Sequence, residues 1–202
     1  MIVGILLAAG SGTRFGGDKL LFPLPEGTPI GVKAARNLLS GVDRGVAVVR
    51  PSDRRLADLL EREGLQVAFC PDAEAGMGTS LAFGVSAAQD ADGCLIALAD
   101  MPFIQSGTIR GVAGLLRAGA QIAAPQHQGR RGHPVGFAHG FFHDLAQLNG
   151  DRGARAVLAA HAARIQVLEC EDRGIFTDID TRDMGIMSLG KAVNHRDTEA
   201  QS

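Results

Sequence analysis

The sequence predicts an α/β protein with a three-layer, mostly parallel, doubly wound sheet. Two observations carry that reading. Short continuous apolar runs, of the kind that suit strands buried on both faces, recur along the chain. Segments of helical periodicity separate them, and such alternation implies right-handed crossovers between parallel strands.

The first strand is IVGILLA, residues 2–8. GVAVVR (45–50) repeats the pattern and leads into PSDRRLADLLERE, where Leu56, Leu59 and Leu60 form an apolar stripe behind a Ser52/Asp53 cap. LQVAFC is strand-like, PDAEAGMG a loop and TSLAFGVSAAQ helix-like. GCLIALAD is the next buried strand, and SGTIRGVAGLLRAG a capped helix that stops at Gly119. AQIAAP is strand-like again. Beyond Pro125 the pattern loosens through QHQGRRGHPVGFA, GDRGARAVLAAHAA, RIQVLEC and GIFTDIDT. With no internal repeat and no second boundary, residues 1–187 are expected to form one domain. The polar, aperiodic residues 188–202 are expected to be a disordered tail.

Composition excludes several classes. The 202 residues carry a formal net charge of −2, with no basic face to suggest a nucleic-acid partner. No apolar stretch nears the roughly 20 residues a membrane span requires. The first nine residues lack the basic start of a signal peptide. Three widely spaced cysteines with no C-x-x-C pattern read as reduced thiols, so a cytoplasmic location is expected.

Directly behind the first strand lies GSGTRFGGDK, residues 10–19. Glycines at 10, 12, 16 and 17 let backbone N–H groups turn toward an anion, and Arg14 and Lys19 add full positive charges. The residues fit neither of two familiar phosphate motifs. Lys19 follows Asp18 rather than glycine, which rejects a Walker A loop. The third glycine of a dinucleotide fingerprint is replaced by Phe15, with Gly16 one residue late. A phosphate cradle and an ordinary strand-to-helix turn both remain open on the glycines; the two cations favour phosphate. Asp100 ends a buried strand, where open α/β sheets collect ligands, and it suits magnesium. Asp178 and Asp180, one residue apart, would face the same way in a strand. A turn or cap role for Asp100 and a solvated strand end for the later pair are the plain alternatives.

Together these stretches resemble the nucleotidyltransferases that attach a nucleotide to the molybdenum cofactor. LLAAGSGTRFGGDK, GMGTSLAFG, LADMPF, GRRGHPVGF, GDRGAR and DIDT follow in that family's order, from Ile2 to about Asp183. Leu7-Ala8-Ala9-Gly10 is similar to the cytidylyltransferase branch. The resemblance implies a Rossmann-like nucleotidyltransferase sheet and transfer of CMP from CTP to molybdopterin, with release of pyrophosphate. It also implies transient contact with a molybdoenzyme or its chaperone. Nucleotide contacts fall on Leu7, Ala8, Ala9, Gly10, Ser11, Gly12, Thr13, Gly76, Thr79 and Ser80. Lys19 would meet the α-phosphate, Arg14 the leaving pyrophosphate, and Asp100 would bind Mg2+ with Asp178, preferred, or Asp180. The methyl of Ala9 would favour a pyrimidine. Arg130, Arg131, Gly132, His133, Pro134, Asp151 and Arg155 would meet the pterin; Thr79 or Ser80 and Asp151 are alternatively helix caps.

LLFPLPEGTPIGVKAA departs from the family, which carries a glutamine near the lysine and a shorter loop. Three rivals stand beside this reading. One is a nicotinamide-dependent oxidoreductase on the same fold, weakened by the missing third glycine. The others are a sugar-phosphate nucleotidyltransferase and a non-catalytic nucleotide-binding regulator.

Overall fold

The computed structural model describes residues 1–10, 15 and 17–181. Ser11, Gly12, Thr13, Arg14, Gly16 and the expected tail 188–202 lie outside them.

In order the elements are β1 (Ile2–Leu7), α1 (Ile30–Leu39), β2 (Arg44–Val49), α2 (Arg54–Arg62), β3 (Gln66–Phe69), α3 (Met77–Ser86), β4 (Gly93–Leu98) and α4 (Ser106–Arg117). β5 (Ile122–His127), β6 (Arg130–Arg131), β7 (Val135–Ala138), α5 (Phe142–Ala146), α6 (Arg155–Ala160) and β8 (Ile165–Glu169) follow. The eight strands form one sheet, ordered β3-β2-β1-β4-β7-β5, with β6 on the far end of β5 and β8 on the outer side of β5. β1, β2, β3 and β4 are mutually parallel where they pair, and β8 runs parallel to β5. β7 and β6 are the exceptions: β7 lies antiparallel between β4 and β5, and β6 pairs antiparallel with the end of β5.

Period-two alternation in the strands builds the three layers. Leu6, Ala47, Val49, Leu95 and Ala97 face one way and pack with Ala35 and Leu38 of α1, Leu56 and Leu60 of α2, and Val112 of α4. Val3, Ile5, Val46, Val48 and Ile96 face the other way, against Leu81 and Val85 of α3 and Phe142 and Leu145 of α5. Side chains on both faces of the central strands are buried, so these strands read as unbroken apolar runs. α3 sits closest to the sheet at Gly84, where a Cβ would come within 2.7 Å of Ile5 and 2.8 Å of Val48.

The caps differ from expectation. Asp53 precedes α2, yet its carboxylate binds the Arg50 guanidinium at 3.0 Å instead of a helix N–H. In α2, Ala57 is buried with Leu56 and Leu60, and Leu59 is only half-buried. α3 begins at Met77 behind Gly76, so Thr79 and Ser80 lie within its first turn rather than capping it. α4 does end where expected: Gly119 has φ +98, and Ala120 N–H returns to Leu115 O at 3.0 Å.

Candidate active site

Strand order reverses between β1 and β4. The chain leaves β1 toward β2 and β3, then returns to place β4 on β1's other side, with Leu7 paired to Leu98. A doubly wound sheet opens its crevice at such a switch point. Here the crevice is a cleft of about 750 Å³, lined by Leu7, Ala9, Gly10, Gly17, Lys19, Arg50, Asp53, Glu74, Gly76, Ser80, Asp100, Asp151 and Asp180 among others.

Lys19 opens a short 3-10 turn, Lys19–Leu21, just past Gly17. Its side chain is 10% exposed, with Nζ 2.8 Å from Asp100 Oδ2 and 3.3 Å from Asp180 Oδ1. Asp180 arrives from far away in sequence. After β8 the chain crosses back over the sheet, and Ile179 N–H binds Asp100 O at 3.0 Å. Ile179 is buried with Phe15, Leu24 and Ile30, which seats this irregular segment against the chain that follows β1. Asp178 and Asp180 thus do not sit in a strand, yet both approach Asp100: one oxygen from each of the three lies within 4.8 Å of the others. Three hard oxygen donors at that spacing fit a divalent cation such as magnesium. The lysine ammonium already stands there as a cation.

The cleft is acid-rich for a phosphate site. Among its described lining residues, Asp18, Asp53, Glu74, Asp100, Asp151 and Asp180 face only Lys19, Arg50 and Arg55 as cations. A polyanion entering it needs added positive charge, which a divalent metal supplies.

Two stretches assigned to opposite substrates meet. Gly76 (φ +123) and Gly78 start α3 so close to Asn149–Asp151 that a Cβ on Gly78 would lie 2.7 Å from Asn149 O. Asp151 therefore lines the cleft beside Gly76 and Ser80, on the side expected to hold nucleotide. Arg131, Gly132, His133, Pro134 and Arg155 do not line the described cleft. Arg130 stacks its guanidinium on Phe176, 4.4 Å from the ring centre. His133 stands behind the acid cluster: burial pushes its pKa below the ordinary value, Asp100 and Asp178 oppose that shift, and Arg155 reinforces it. Its buried Nδ1 has no hydrogen-bond partner among the described residues.

Sequence reasoning missed Arg50, at the C-terminal end of β2; the strand-end rule that picked out Asp100 would have found it. It also missed Asp172, whose partners Gln105 and Thr108 are distant in sequence.

A family model described as a MobA-like NTP transferase domain matches residues 4–165. The chain is 33% identical to the purine catabolism protein PucB of Bacillus subtilis, over 89% of this chain and 92% of that protein. It is 29% identical to nicotine blue oxidoreductase of Paenarthrobacter nicotinovorans, over 89% and 92%. It is 26% identical to molybdenum cofactor cytidylyltransferase of Escherichia coli, over 89% and 91%. Among solved structures, Rv0371c of Mycobacterium tuberculosis superposes with TM-score 0.80 at 26% identity, covering 94% of this chain and 97% of that one. Its manganese complex gives TM-score 0.77 at 24% identity, over 94% and 98%. CMP:2-keto-3-deoxy-manno-octonic acid synthetase with CTP gives 0.74 at 13%, over 96% and 99%. Identities this low speak for the fold alone in the last two.

Proposed function

The chain belongs to the MobA-like NTP transferase family, and we propose from that premise that it transfers CMP from CTP to a molybdopterin-type phosphate acceptor, with Mg2+. The observation that carries this is the Lys19 ammonium paired with Asp100 and Asp180, which cluster with Asp178, at the switch point of the sheet.

In this reading the triphosphate lies over the loop that follows β1, with Ser11, Gly12, Thr13 and Arg14 completing that loop. A phosphate oxygen of the acceptor attacks the α-phosphorus of CTP. A new P–O bond forms, the α–β bridging P–O bond breaks, and pyrophosphate leaves with its electron pair. Transfer of this kind depends on positioning and charge neutralisation more than on covalent help from the protein. Lys19 turns from the carboxylates to the α-phosphate, and Arg14 meets the leaving pyrophosphate. Asp100, Asp178 and Asp180 would hold the metal, which supplies charge neutralisation on the phosphates. Arg131, His133 and Arg155, beyond the acid cluster, meet the acceptor. Ala9, 6% exposed in the cleft wall, narrows the base side toward a pyrimidine. Support for CTP comes from the likeness to a molybdenum cofactor cytidylyltransferase. The free thiols of Cys70, Cys94 and Cys170 fit a cytoplasmic enzyme, where contact with a molybdoenzyme would deliver the product.

The likeness to nicotine blue oxidoreductase favours a second reading, in which a nicotinamide cofactor occupies the same cleft. Hydride transfer gives no use to three clustered carboxylates, so it ranks behind. Thermal stabilisation by CTP, GTP, ATP, UTP, NADH and NADPH, each with and without Mg2+, separates the two readings. A selective Mg2+-dependent shift with CTP supports the transferase, and pyrophosphate release with a molybdopterin acceptor completes it. A shift with NADH or NADPH and none with any triphosphate overturns it. Lys19→Ala and Asp100→Ala should each lower turnover about 100- to 1,000-fold while melting near wild type.

A further inference from the structure

The metal-binding reading above leaves a question of geometry. Asp100 lies in the turn two residues past β4, whereas Asp178 and Asp180 sit on a returning segment whose regular structure is one short 3-10 turn, Arg173–Phe176. Something must hold two such pieces at a fixed spacing, because a divalent cation tolerates little error in ligand position.

We propose that Asp172 is the positioning residue that sets the spacing of the Asp100–Asp178–Asp180 triad. It is 3% exposed, yet it is a carboxylate, and the mechanism above gives it no part. Its Oδ2 accepts from Gln105 N–H at 2.8 Å and from the Thr108 hydroxyl at 2.7 Å. Its Oδ1 accepts from Gly174 N–H at 2.9 Å. Gln105 immediately precedes α4 and Thr108 lies in its first turn, so the carboxylate sits where that helix is most positive. One side chain thereby clips the connection that carries Asp100 out of β4 to the segment that carries the other two aspartates.

The join is close. A Cβ on Gly174 would collide with the Phe103 carbonyl, so the segment lies directly on the β4–α4 connection. Downstream, Ile175 O accepts from His133 N–H at 3.0 Å and Ile179 N–H binds Asp100 O at 3.0 Å. Those two bonds are backbone to backbone. Asp172 adds a side-chain anchor that lies outside the triad, so a substitution can remove it without touching Asp100, Asp178 or Asp180.

A buried carboxylate with three donors also stabilises the fold, and the test must separate spacing from stability. Mn2+ binding in the presence of CTP, followed by electron paramagnetic resonance at a temperature well below each melting point, is the readout. Asp172→Ala should weaken Mn2+ binding by about tenfold or more, with broadened Mn2+ lines. Asp172→Asn, which keeps one acceptor oxygen, should recover part of the affinity. Thr108→Val removes one donor to the same carboxylate; it should shift affinity the same way by less, and it serves where Asp172→Ala fails to fold. Mn2+ affinity within twofold of wild type in folded Asp172→Ala, or in Thr108→Val where Asp172→Ala fails to fold, overturns the proposal and leaves the metal reading standing. No Mn2+ uptake by the wild-type protein with CTP overturns the metal reading itself, and this inference with it.

Discussion

At the scale of single residues, Lys19 and His133 mark how the site balances charge before any substrate arrives. Three carboxylate oxygens within 4.8 Å repel one another, and the Lys19 ammonium offsets that repulsion. In the proposed site a metal would have to displace the same ammonium from Asp100 and Asp180, so metal and lysine would compete for shared oxygens. A triphosphate relieves the competition by giving the ammonium another anion. The two ligands are therefore coupled, and by linkage each should raise the affinity of the other. Lys19→Met keeps the length and removes the charge. It should bind Mn2+ about tenfold tighter than wild type without nucleotide, and should lose most of the enhancement that CTP gives. Equal Mn2+ affinity in the two proteins without nucleotide would argue that the lysine is no competitor. His133 behaves in the opposite sense. Burial holds its folded pKa below the ordinary value of 6.5, so between those two values the unfolded chain binds the extra proton. Stability should therefore fall as pH drops below about 6.5, then level off once the folded imidazole also protonates. His133→Gln should flatten that part of the stability profile, as measured by urea unfolding at pH 5 to 7.5.

At the scale of elements, the start of α3 shows what a sequence reveals and what it hides. The strands were legible because each is an apolar run between turn residues, and the glycine loop because it follows the first of them. Asp100 was legible as a charge at a buried strand's end. β7 was not: QHQGRRGHPVGFA has no clean period, and its antiparallel insertion between β4 and β5 is decided by packing. The caps were misassigned because Asp53 finds a stronger partner in Arg50 than in a helix N–H. Locally Asp172 reads as no more than a turn cap to Gly174 N–H; its tie to α4 had no local signal, since Gln105 and Thr108 lie 67 and 64 residues away. GMG was read as a nucleotide loop, but its glycines have a packing reason as well. Gly78 leaves room for the Asn149 carbonyl, and so lets α3 abut the segment that carries Asp151. Gly78→Ala forces that segment away and should cost about 1–3 kcal/mol of stability. The same displacement moves Asp151 in the cleft wall, so CTP binding should weaken alongside. Unchanged melting would mean that the contact yields freely.

At the scale of the whole molecule, the site is assembled by a chain that visits every part of the sheet before it closes. Lys19, after β1, and Asp100, after β4, meet at the switch point, and the last two carboxylates follow β8, on the far edge, in the chain. The match to the family ends at residue 165, before either Asp178 or Asp180. Scaffold and proposed metal site are thus separable by position: a chain ending at Cys170 retains all eight strands and both apolar cores, and loses two of the three carboxylates. It also loses Ile175 and Ile179, which are 0% and 1% exposed, together with the Asp172 clip at the start of α4, so it should melt lower than the full chain. Its cleft still has Lys19, Arg50, Arg55, Gly10 and Gly17, and CTP alone should still raise its melting temperature. The added shift produced by Mg2+ or Mn2+ should vanish, because Asp100 alone offers one of the three carboxylates. A metal-dependent increment equal to that of the full chain would place the cation elsewhere in the cleft, among Asp18, Asp53, Glu74 and Asp151. That outcome would move the chemistry toward the β2 side of the switch point, and would leave the long return of the chain after β8 with a packing role only.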